Sequence, residues 1–318
     1  MPRSAPQSLD LKRLRRYSLS ERPSKVKRDA LAKPTPAGSS LRAFLNDLPG
    51  ILAAEKFNQL VDAIASARRL KKPVIWMMGA HVLKVGLSPL LVDLIDKRIV
   101  TAVAMNGAGI IHDFELAYQG QTSEEVMEAI ADGSFGMARE TADFLNGAIR
   151  EGAKKGMGLG ESVGRLIKEK KFRFRELSVC AAAVRSEIPV TVHVALGTDI
   201  IHQHPTCDGA AVGQTSLTDF RILTRAVSDL GGGGVVVNAG SAVMLPEVFL
   251  KAVSIARNLG HSVKEFTAAN LDMISHYRPH QNVLLRPTAL GGQAISLIGH
   301  HEIMVPLLYA ALMEKLKE

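Results

Sequence analysis

Residues 74–109, VIWMMGAHVLKVGLSPLLVDLIDKRIVTAVAMNGAG, decide the fold class of this chain. The apolar run Val74–Met78 has the length and continuity of a buried strand, and Ile99–Met105 repeats that pattern. Between them, Ser88-Pro89 reads as a helix N-cap followed by proline in the first turn, and predicts a helix over 89–97. A strand, a helix and a second strand in this order predict a parallel pair with a right-handed crossover.

The same alternation of helical and strand-like segments continues outward from this unit. We predict helices over 54–70, 215–229, 245–259 and 303–317, and strands over Val190–Leu196, Val235–Asn238, Phe266–Asn270 and Ile295–Ile298. A long helical stretch interrupts the alternation at about 112–186. The strand-like runs are continuous, as expected when helices cover both faces of a sheet. The sequence therefore predicts an α/β fold, a doubly wound and mostly parallel sheet with a helical insertion, in one domain over residues 41–318.

Residues 1–40 differ from this domain in charge. The 318-residue chain has a net charge of +8, but ten Lys/Arg and three Asp/Glu fall within residues 1–40, which leaves only +1 for the rest. We therefore predict a basic, flexible N-terminal arm and a nearly neutral body that does not bind nucleic acid. Candidate partners of the arm are RNA, membrane lipid or a neighbouring subunit, and the alternative is a solvated tail.

Composition excludes several classes of protein. Cys180 and Cys207 are the only cysteines, too few for a disulfide framework, and they indicate a reducing compartment. The arm lacks the apolar stretch of a signal peptide, and no run of apolar residues is long enough to span a membrane. We expect a cytoplasmic protein without a membrane partner.

Four loops are candidates for ligand binding, because ligands of parallel sheets bind where strands end and helices begin. They are Gly79–Gly86, Asn106–Glu115, Asp199–Ser216 and Gly231–Gly234. Small residues such as Gly107 and Gly109 let backbone N–H groups approach a diphosphate, although glycine serves plain turns equally well.

Histidines form a second group of candidates. His202, His204, Cys207 and His300 are possible zinc ligands by residue type, but the spacings HExxH and CxxC are absent. We therefore predict no metal site, and treat these side chains as polar pocket residues or helix caps.

With these loops in order, residues 70–312 resemble the deoxyhypusine synthase family. Met78-Gly79-Ala80-His81 is similar to the family's first NAD loop, and Asn106–Gly109 with Asp113 to its second. Pro205–Ala210, which contains Asp208, is similar to the family's PALTDGS segment. Gly232–Val235 is similar to the family's GGGV motif, and Pro306–Leu308 is similar to part of the family's last helix. The resemblance implies an NAD-binding homotetramer that oxidises spermidine and passes its aminobutyl group to a lysine of a translation factor.

The resemblance and the loops together give the predicted site. Predicted cofactor-binding residues, for NAD, are Gly79, Ala80, Asn106, Gly107, Ala108, Gly109, Asp113, Gly232, Gly233 and Gly234. Predicted catalytic residues are His301, His300 and Asp208; predicted substrate-binding residues are His204, Asn238, Asp272, Arg278, Arg286 and Glu302.

The chain departs from the family where the chemistry is carried out. The stretch Asn282–Gln293, which corresponds to the family's catalytic segment, contains no lysine, and Arg286 cannot form the required imine. Asp272–Pro279 retains a single acid. We therefore predict an NAD-dependent enzyme acting on an amine-containing or related small substrate, and no synthesis of deoxyhypusine. The alternatives are a non-catalytic nucleotide-binding relative and a metal-dependent hydrolase.

Overall fold

The structure, a computed structural model, describes residues 8–317. Six strands form one sheet: β1 Val74–Met78, β2 Ala102–Asn106, β3 Val190–His193, β4 Val235–Ala239, β5 Thr267–Asp272 and β6 Gln293–Ile298. The helices are α1 Leu41–Asp47, α2 Leu52–Arg69, α3 His81–Lys84, α4 Ser88–Asp96, α5 Gly107–Gln119, α6 Val126–Asp132, α7 Arg139–Lys154, α8 Leu159–Lys170, α9 Val179–Arg185, α10 Gly209–Ser228, α11 Met244–Asn258, α12 Tyr277–Pro279, α13 Arg286–Thr288 and α14 His301–Lys315. A π-helical turn, His280–Leu285, joins α12 to α13.

The strand order is β3-β2-β1-β4-β5-β6, and every neighbouring pair is parallel. This confirms the predicted fold class and makes the sheet wholly parallel. The chain builds outward from β1 to β3, then returns to place β4 on the other side of β1. The order therefore reverses between β1 and β4, which is the position where doubly wound sheets bind ligands.

Strand β1 shows why its sequence lacks alternation. Val74, Trp76 and Met78 pack into the core on one face of the sheet, with residues from α2, α4, α5 and α14. Ile75 and Met77 pack on the other face, with residues from α10 and α11. Since both faces are covered, every position of β1 is buried and apolar.

Between β2 and β3 lie α5, α6, α7, α8 and α9, the helical insertion of the sequence analysis. Helix α10 begins at Gly209, six residues earlier than predicted, because Asp208 caps it by accepting from Ala210 N–H at 2.9 Å and Ala211 N–H at 3.1 Å. None of the helices in residues 8–317 combines the length and apolarity that crossing a bilayer requires.

Candidate functional site

The crevice between β1 and β4 is built on a close contact between two glycines. A Cβ on Gly79 would lie 2.4 Å from the carbonyl oxygen of Gly240, and Gly79 N–H donates to Ala239 O at 3.0 Å. Gly240 has φ of +68°, in the left-handed region that favours glycine. The two glycines therefore let the segments that follow β1 and β4 pack against each other at the base of this crevice.

Two histidines lie beside that base, with ring centroids 5.6 Å apart. His301 is buried, and its Nε2 lies 3.1 Å from Leu271 O. Because a carbonyl only accepts, Nε2 carries the proton, which leaves a lone pair on Nδ1; this atom is buried and has no partner. The pKa of His81 is lowered, mainly by burial and then by His301, which favours neutral His81.

Acceptors without partners lie at the ends of β4 and β5. Asp272 Oδ1 accepts from Met273 N–H at 2.8 Å, whereas Oδ2 is buried and unpartnered. The Asn238 amide group donates to Ser241 O at 3.0 Å and to Asn270 Oδ1 at 2.7 Å, which leaves its own oxygen without a partner. These atoms can accept hydroxyl or amide donors of a ligand.

Helix α14 begins at the same edge of the sheet. Its N-cap residue, His300, makes no side-chain capping bond and is 64% exposed. The first turn therefore keeps backbone N–H groups without a side-chain acceptor. Glu302 lies in this turn. The pKa of His81 is lowered mainly by burial, and the negative charge of Glu302 opposes part of that lowering.

A cavity of about 230 Å³ lies next to the crevice, at the ends of β2 and β3. Its polar lining includes Lys84, His112, Glu115, Glu124 and Asp199. Helix α3 connects the two spaces, because its first residue, His81, lies in the crevice and its last residue, Lys84, lines the cavity. We call these two spaces the crevice and the cavity.

Asp199 occupies the N-terminus of α5. A Cβ on Gly107 would lie 1.9 Å from Asp199 Oδ2, and the carboxylate accepts a backbone hydrogen bond from Ala108. Burial raises the pKa of Asp199 to about 6. This corrects our interpretation of Gly107, Ala108 and Gly109 as a diphosphate loop: Gly107 makes room for a carboxylate, and Gly109 for Met105, whose Sδ would lie 2.8 Å from an added Cβ.

The proton positions of two further histidines follow from their partners. His202 Nδ1 accepts from Gly197 N–H at 3.1 Å and from Asp199 N–H at 3.2 Å, so Nε2 carries the proton. This buried N–H has no partner and lies 4.0 Å from Asp199 Oδ2.

His112 has the opposite arrangement. Thr122 Oγ1 donates to Glu115 Oε2 at 2.5 Å, and therefore accepts from His112 Nδ1 at 2.7 Å. The lone pair of neutral His112 is then on Nε2. Burial and the neighbouring Lys84 both lower the pKa of His112, so the neutral form is favoured.

Unpartnered buried polar atoms concentrate at this edge of the sheet. Residues 8–317 contain nine buried side-chain nitrogen or oxygen atoms without a hydrogen-bond partner. Six of them are at the carboxyl end of β2, β3, β4, β5 or β6: Asn106 Oδ1, Asp199 Oδ2, His202 Nε2, Asn238 Oδ1, Asp272 Oδ2 and His301 Nδ1. Since buried polar groups are normally paired, this edge has the properties of a ligand site.

Several predicted site residues lie elsewhere. Gly232, Gly233 and Gly234 precede β4, at the amino end of the sheet, where Gly232 and Gly233 N–H donate to Lys264 O and Glu265 O. The glycine that faces the crevice is Gly240, after the strand. Our assignment of the three glycines to cofactor binding is therefore corrected.

Three polar side chains have structural roles. Asp113, within α5, is fully buried and holds the start of α9 by accepting from Ser178 Oγ at 2.6 Å and Val179 N–H at 2.7 Å. Asp208 is an exposed cap of α10. His204 Nε2 donates to Gly136 O at 2.8 Å. These contacts leave Asp113 out of reach of a cofactor, and they replace the catalytic and substrate-binding interpretations of Asp208 and His204.

The two arginines predicted to bind substrate are exposed and paired at the surface. Arg278 Nε lies 3.3 Å from Glu247 Oε1, and Arg286 Nη1 donates to Asn282 Oδ1 at 2.7 Å. Asn282 in turn donates to Glu247 at 2.8 Å, so the four side chains form one network that links α11 to α12, the π-helical turn and α13. A substrate-binding role is not supported for Arg278 or Arg286.

Sequence reasoning did not single out four residues of this edge: His81, His112, Asp199 and Gly240. His81, His112 and Asp199 lie in loops that the carboxyl-end rule had selected without giving these side chains a role, and Gly240 lies after β4, where no loop was selected. In residues 8–317, no three His, Cys, Asp or Glu side chains lie close enough to hold a metal ion.

Comparisons with known proteins support the fold but assign no sequence family. No protein-family model matches the chain, and no curated protein matches it. A protein from Entamoeba histolytica assigned as a deoxyhypusine synthase is similar in structure, with a TM-score of 0.51 and 11% identity over 87% of this chain and 94% of its own.

Two further solved structures are similar. A conserved protein from Methanococcus maripaludis S2 assigned to the LOR/SDH group has a TM-score of 0.52 and 13% identity, over 100% of this chain and 75% of its own. AgrE, solved with ornithine and NAD+, has a TM-score of 0.54 and 12% identity over 84% of this chain, which spans only 34% of the AgrE chain. The chain thus has the α/β fold that deoxyhypusine-synthase-like and AgrE-type proteins share.

Proposed function

We propose that this chain is an NAD-dependent enzyme that binds its cofactor in the crevice and a small amine-bearing substrate in the adjoining cavity. The observation that carries the proposal is the set of six unpartnered buried polar atoms along the carboxyl ends of the strands. The fold of AgrE, which binds ornithine and NAD+, supports the same pairing of ligands.

The residues of the crevice fit a dinucleotide. Gly79 lets the backbone of Gly240 approach closely, and Gly240 in turn leaves room for the ring of His301, which holds His301 beside the ends of β1 and β4. Asp272 Oδ2 and Asn238 Oδ1 would accept ribose hydroxyl or carboxamide donors. The uncapped first turn of α14 would hold the diphosphate, a role that Asp199 prevents at α5.

When bound, NAD+ supplies an acceptor for the hydride of the oxidised substrate. His301 is the group best placed to take up the accompanying proton, because its Nδ1 is an acceptor held by the bond from Nε2 to Leu271 O. His81, neutral at pH 7 because burial lowers its pKa, stands beside it. Asp272 and Asn238 orient the ligand at the ends of their strands.

The cavity favours a cationic substrate. Its lining contains three carboxyl groups, those of Glu115, Glu124 and Asp199. It contains one cation, Lys84, and His112 is neutral. Its volume of about 230 Å³ lies below the range of about 300–1,000 Å³ typical of drug-sized ligands, so the substrate is small. An alkyl amine or a basic amino acid meets both conditions.

Asp272→Asn tests cofactor binding. The substitution keeps the shape of the side chain but replaces the unpartnered Oδ2 with a donor, so we expect a loss of NAD+ and NADH affinity of roughly tenfold or more. Isothermal titration and NADH fluorescence measure it, with Asp208→Asn, at an exposed helix cap, as the control.

Formation of NADH with a panel of amines and amino acids then separates the enzyme from a non-catalytic relative. The missing lysine in Asn282–Gln293 favours that second candidate. Binding of NAD+ without any reduction would support it, and the absence of binding would reject both.

A further inference from the structure

A second concave surface lies at the opposite, amino-terminal edge of the sheet. It has a volume of about 500 Å³. Its lining residues are Arg68, Arg69, Lys71, Lys72, Pro73, Lys97, Arg98 and Thr101, six of which are cations and none of which is an acid. We call this surface the basic groove. It does not overlap the crevice or the cavity, because it surrounds the starts of β1 and β2 rather than their ends.

The ends of two helices bring these cations together. Arg68 and Arg69 are in the last turn of α2, and Lys97 and Arg98 follow α4 directly. Helix C-termini attract cations, because their free carbonyl groups carry partial negative charge. That attraction explains why a cation lies at each helix end, but not why so many share one concave surface.

Helix ends elsewhere at this edge use their cations differently. At the end of α9, Arg185 donates to Asp96 at 2.7 Å, and in the last turn of α10, Arg225 donates to Asp229 at 2.7 Å. Arg257, in the last turn of α11, donates to Val263 O at 2.7 Å. Each of these cations has an acceptor within the chain.

The basic groove contains four cations that have no such acceptor. Lys97 is bound to Asp93, and Lys72 Nζ donates to Gly231 O at 2.7 Å. Within the described part of the chain, Arg68, Arg69, Lys71 and Arg98 make no side-chain hydrogen bond or ion pair. The body carries only +1 overall, so their concentration here does not reflect a general excess of positive charge.

The glycine loop that sequence reasoning assigned to the cofactor borders this groove instead. Lys72 reaches the carbonyl of Gly231, and a Cβ on Gly232 would lie 3.5 Å from Lys72 Nζ. Gly232 and Gly233 have φ of +71° and +104°. The loop therefore places bare backbone, rather than side chains, next to the cationic surface.

We propose that the basic groove binds a small polyphosphate anion. Four unpaired cations on one concave surface match several phosphate charges held close together. No aromatic side chain lines the groove, so it offers no platform on which a nucleobase can stack. The N-terminal arm cannot neutralise it, because the arm is itself cationic.

Titration with inorganic tripolyphosphate tests the proposal. The variant Arg68→Gln/Arg69→Gln/Lys71→Gln/Arg98→Gln removes the four unpaired cations, all of them exposed. The matched control, Arg13→Gln/Arg15→Gln/Arg16→Gln/Lys25→Gln, removes the same charge from exposed positions of the arm. Calorimetry at an ionic strength of about 0.15 M suppresses long-range attraction, which both variants reduce equally.

We expect the groove variant to lose roughly tenfold or more in affinity for tripolyphosphate, and the arm variant to lose less than about threefold. Equal losses in the two variants, or no binding by the unmodified protein, would overturn the proposal. So would a single-stranded oligonucleotide that binds the groove more tightly than tripolyphosphate, since the occupant would then be a nucleic acid. The proposal does not depend on NAD binding, because Asp272 lies at the opposite edge of the sheet and does not line the groove.

Discussion

Asp199 carries a buried carboxylate whose two oxygens have different surroundings. The carboxylate accepts from Ala108 N–H, and Oδ2 lies 4.0 Å from His202 Nε2 without a hydrogen-bond partner. Its side chain is only 5% exposed. Burial penalises the charged form more than the helix terminus stabilises it, and therefore the pKa rises from 3.8 to about 6.

A raised pKa makes the contribution of Asp199 to stability depend on pH. The folded state binds the proton more tightly than the unfolded state, so the contribution is fully present below pH 3.8 and is lost as the pH rises through about 6. The corresponding free energy is about 2–3 kcal/mol. We expect the free energy of unfolding of Asp199→Asn, taken relative to that of the unmodified protein, to be higher at pH 8 than at pH 5. Urea denaturation at the two pH values measures it.

The same substitution at an exposed position of α7, Asp143→Asn, is the control for this measurement. Its effect on the free energy of unfolding should be the same at both pH values. If Asp199→Asn also behaves in this way, the carboxylate is not held in its protonated form by burial.

At the scale of elements, α7 contains two glycines with opposite surroundings. A Cβ on Gly147 would meet no atom within 4 Å, whereas a Cβ on Gly152 would lie 1.9 Å from Ser162 Oγ and 2.8 Å from Ser162 Cβ. Gly152 therefore permits the close packing of α7 against α8.

Alanine substitutions in α7 should have opposite effects at these positions. We expect Gly147→Ala to stabilise the protein by about 0.5–1 kcal/mol, because alanine loses less backbone entropy in a helix. Gly152→Ala should destabilise it by about 1–3 kcal/mol, because the helices must separate. Urea denaturation of the two variants measures both effects, and destabilisation by Gly147→Ala would contradict the packing described here.

The bounds of a helix or strand could be predicted where the residues that determine them are close together in the sequence. The run Val74–Met78 gave the bounds of β1 correctly, because burial on both faces leaves a continuous apolar signature. The start of α10 was missed because Gly209, Gly213 and nearby polar residues resemble a loop, while the deciding contact is the cap from Asp208.

The site was less predictable for a geometric reason. A glycine run beside a strand does not show which edge of the sheet it occupies, and Gly232–Gly234 proved to be at the amino edge. Asp199 and Gly107 are separated in sequence by the helical insertion and β3, and only the tertiary fold brings them together. No local pattern therefore indicates the contact. His301 was predicted to be catalytic; the structure shows its ring buried beside Gly240, and the catalytic role stays a prediction.

At the scale of the whole molecule, the described part of the arm before Ala30, residues 8–29, has few ties to the body. Residues 8–29 are exposed, and their hydrogen bonds remain within the arm, for example from Ser20 N–H to Ser18 Oγ at 3.3 Å. Contact with the body begins with Gly50 N–H, which donates to Ala30 O at 3.0 Å, and Lys33 N–H, which donates to Asp47 O at 2.9 Å.

Removal of residues 1–29 should therefore leave the free energy of unfolding within about 0.5 kcal/mol of the intact chain, as for surface changes in general. Urea denaturation of the truncated protein checks this. A second truncation that also removes residues 30–35 should cost more, because it deletes the contacts of Ala30 and Lys33 and the hydrogen bond from Thr35 Oγ1 to Asp47 Oδ2. A large loss from the first truncation would show that the arm supports the fold.

The position of β1 at the centre of the sheet has a consequence for synthesis on the ribosome. Lys72 and Gly231, which meet beside the starts of β1 and β4, are 159 residues apart in sequence. At ~5–20 residues per second, β1 emerges roughly 8–30 s before the strand that completes it. During that interval one edge of β1, a strand composed of valine, isoleucine, tryptophan and methionine, has no neighbouring strand. This edge can then pair with another nascent chain. Slower synthesis of the helical insertion would lengthen this exposure.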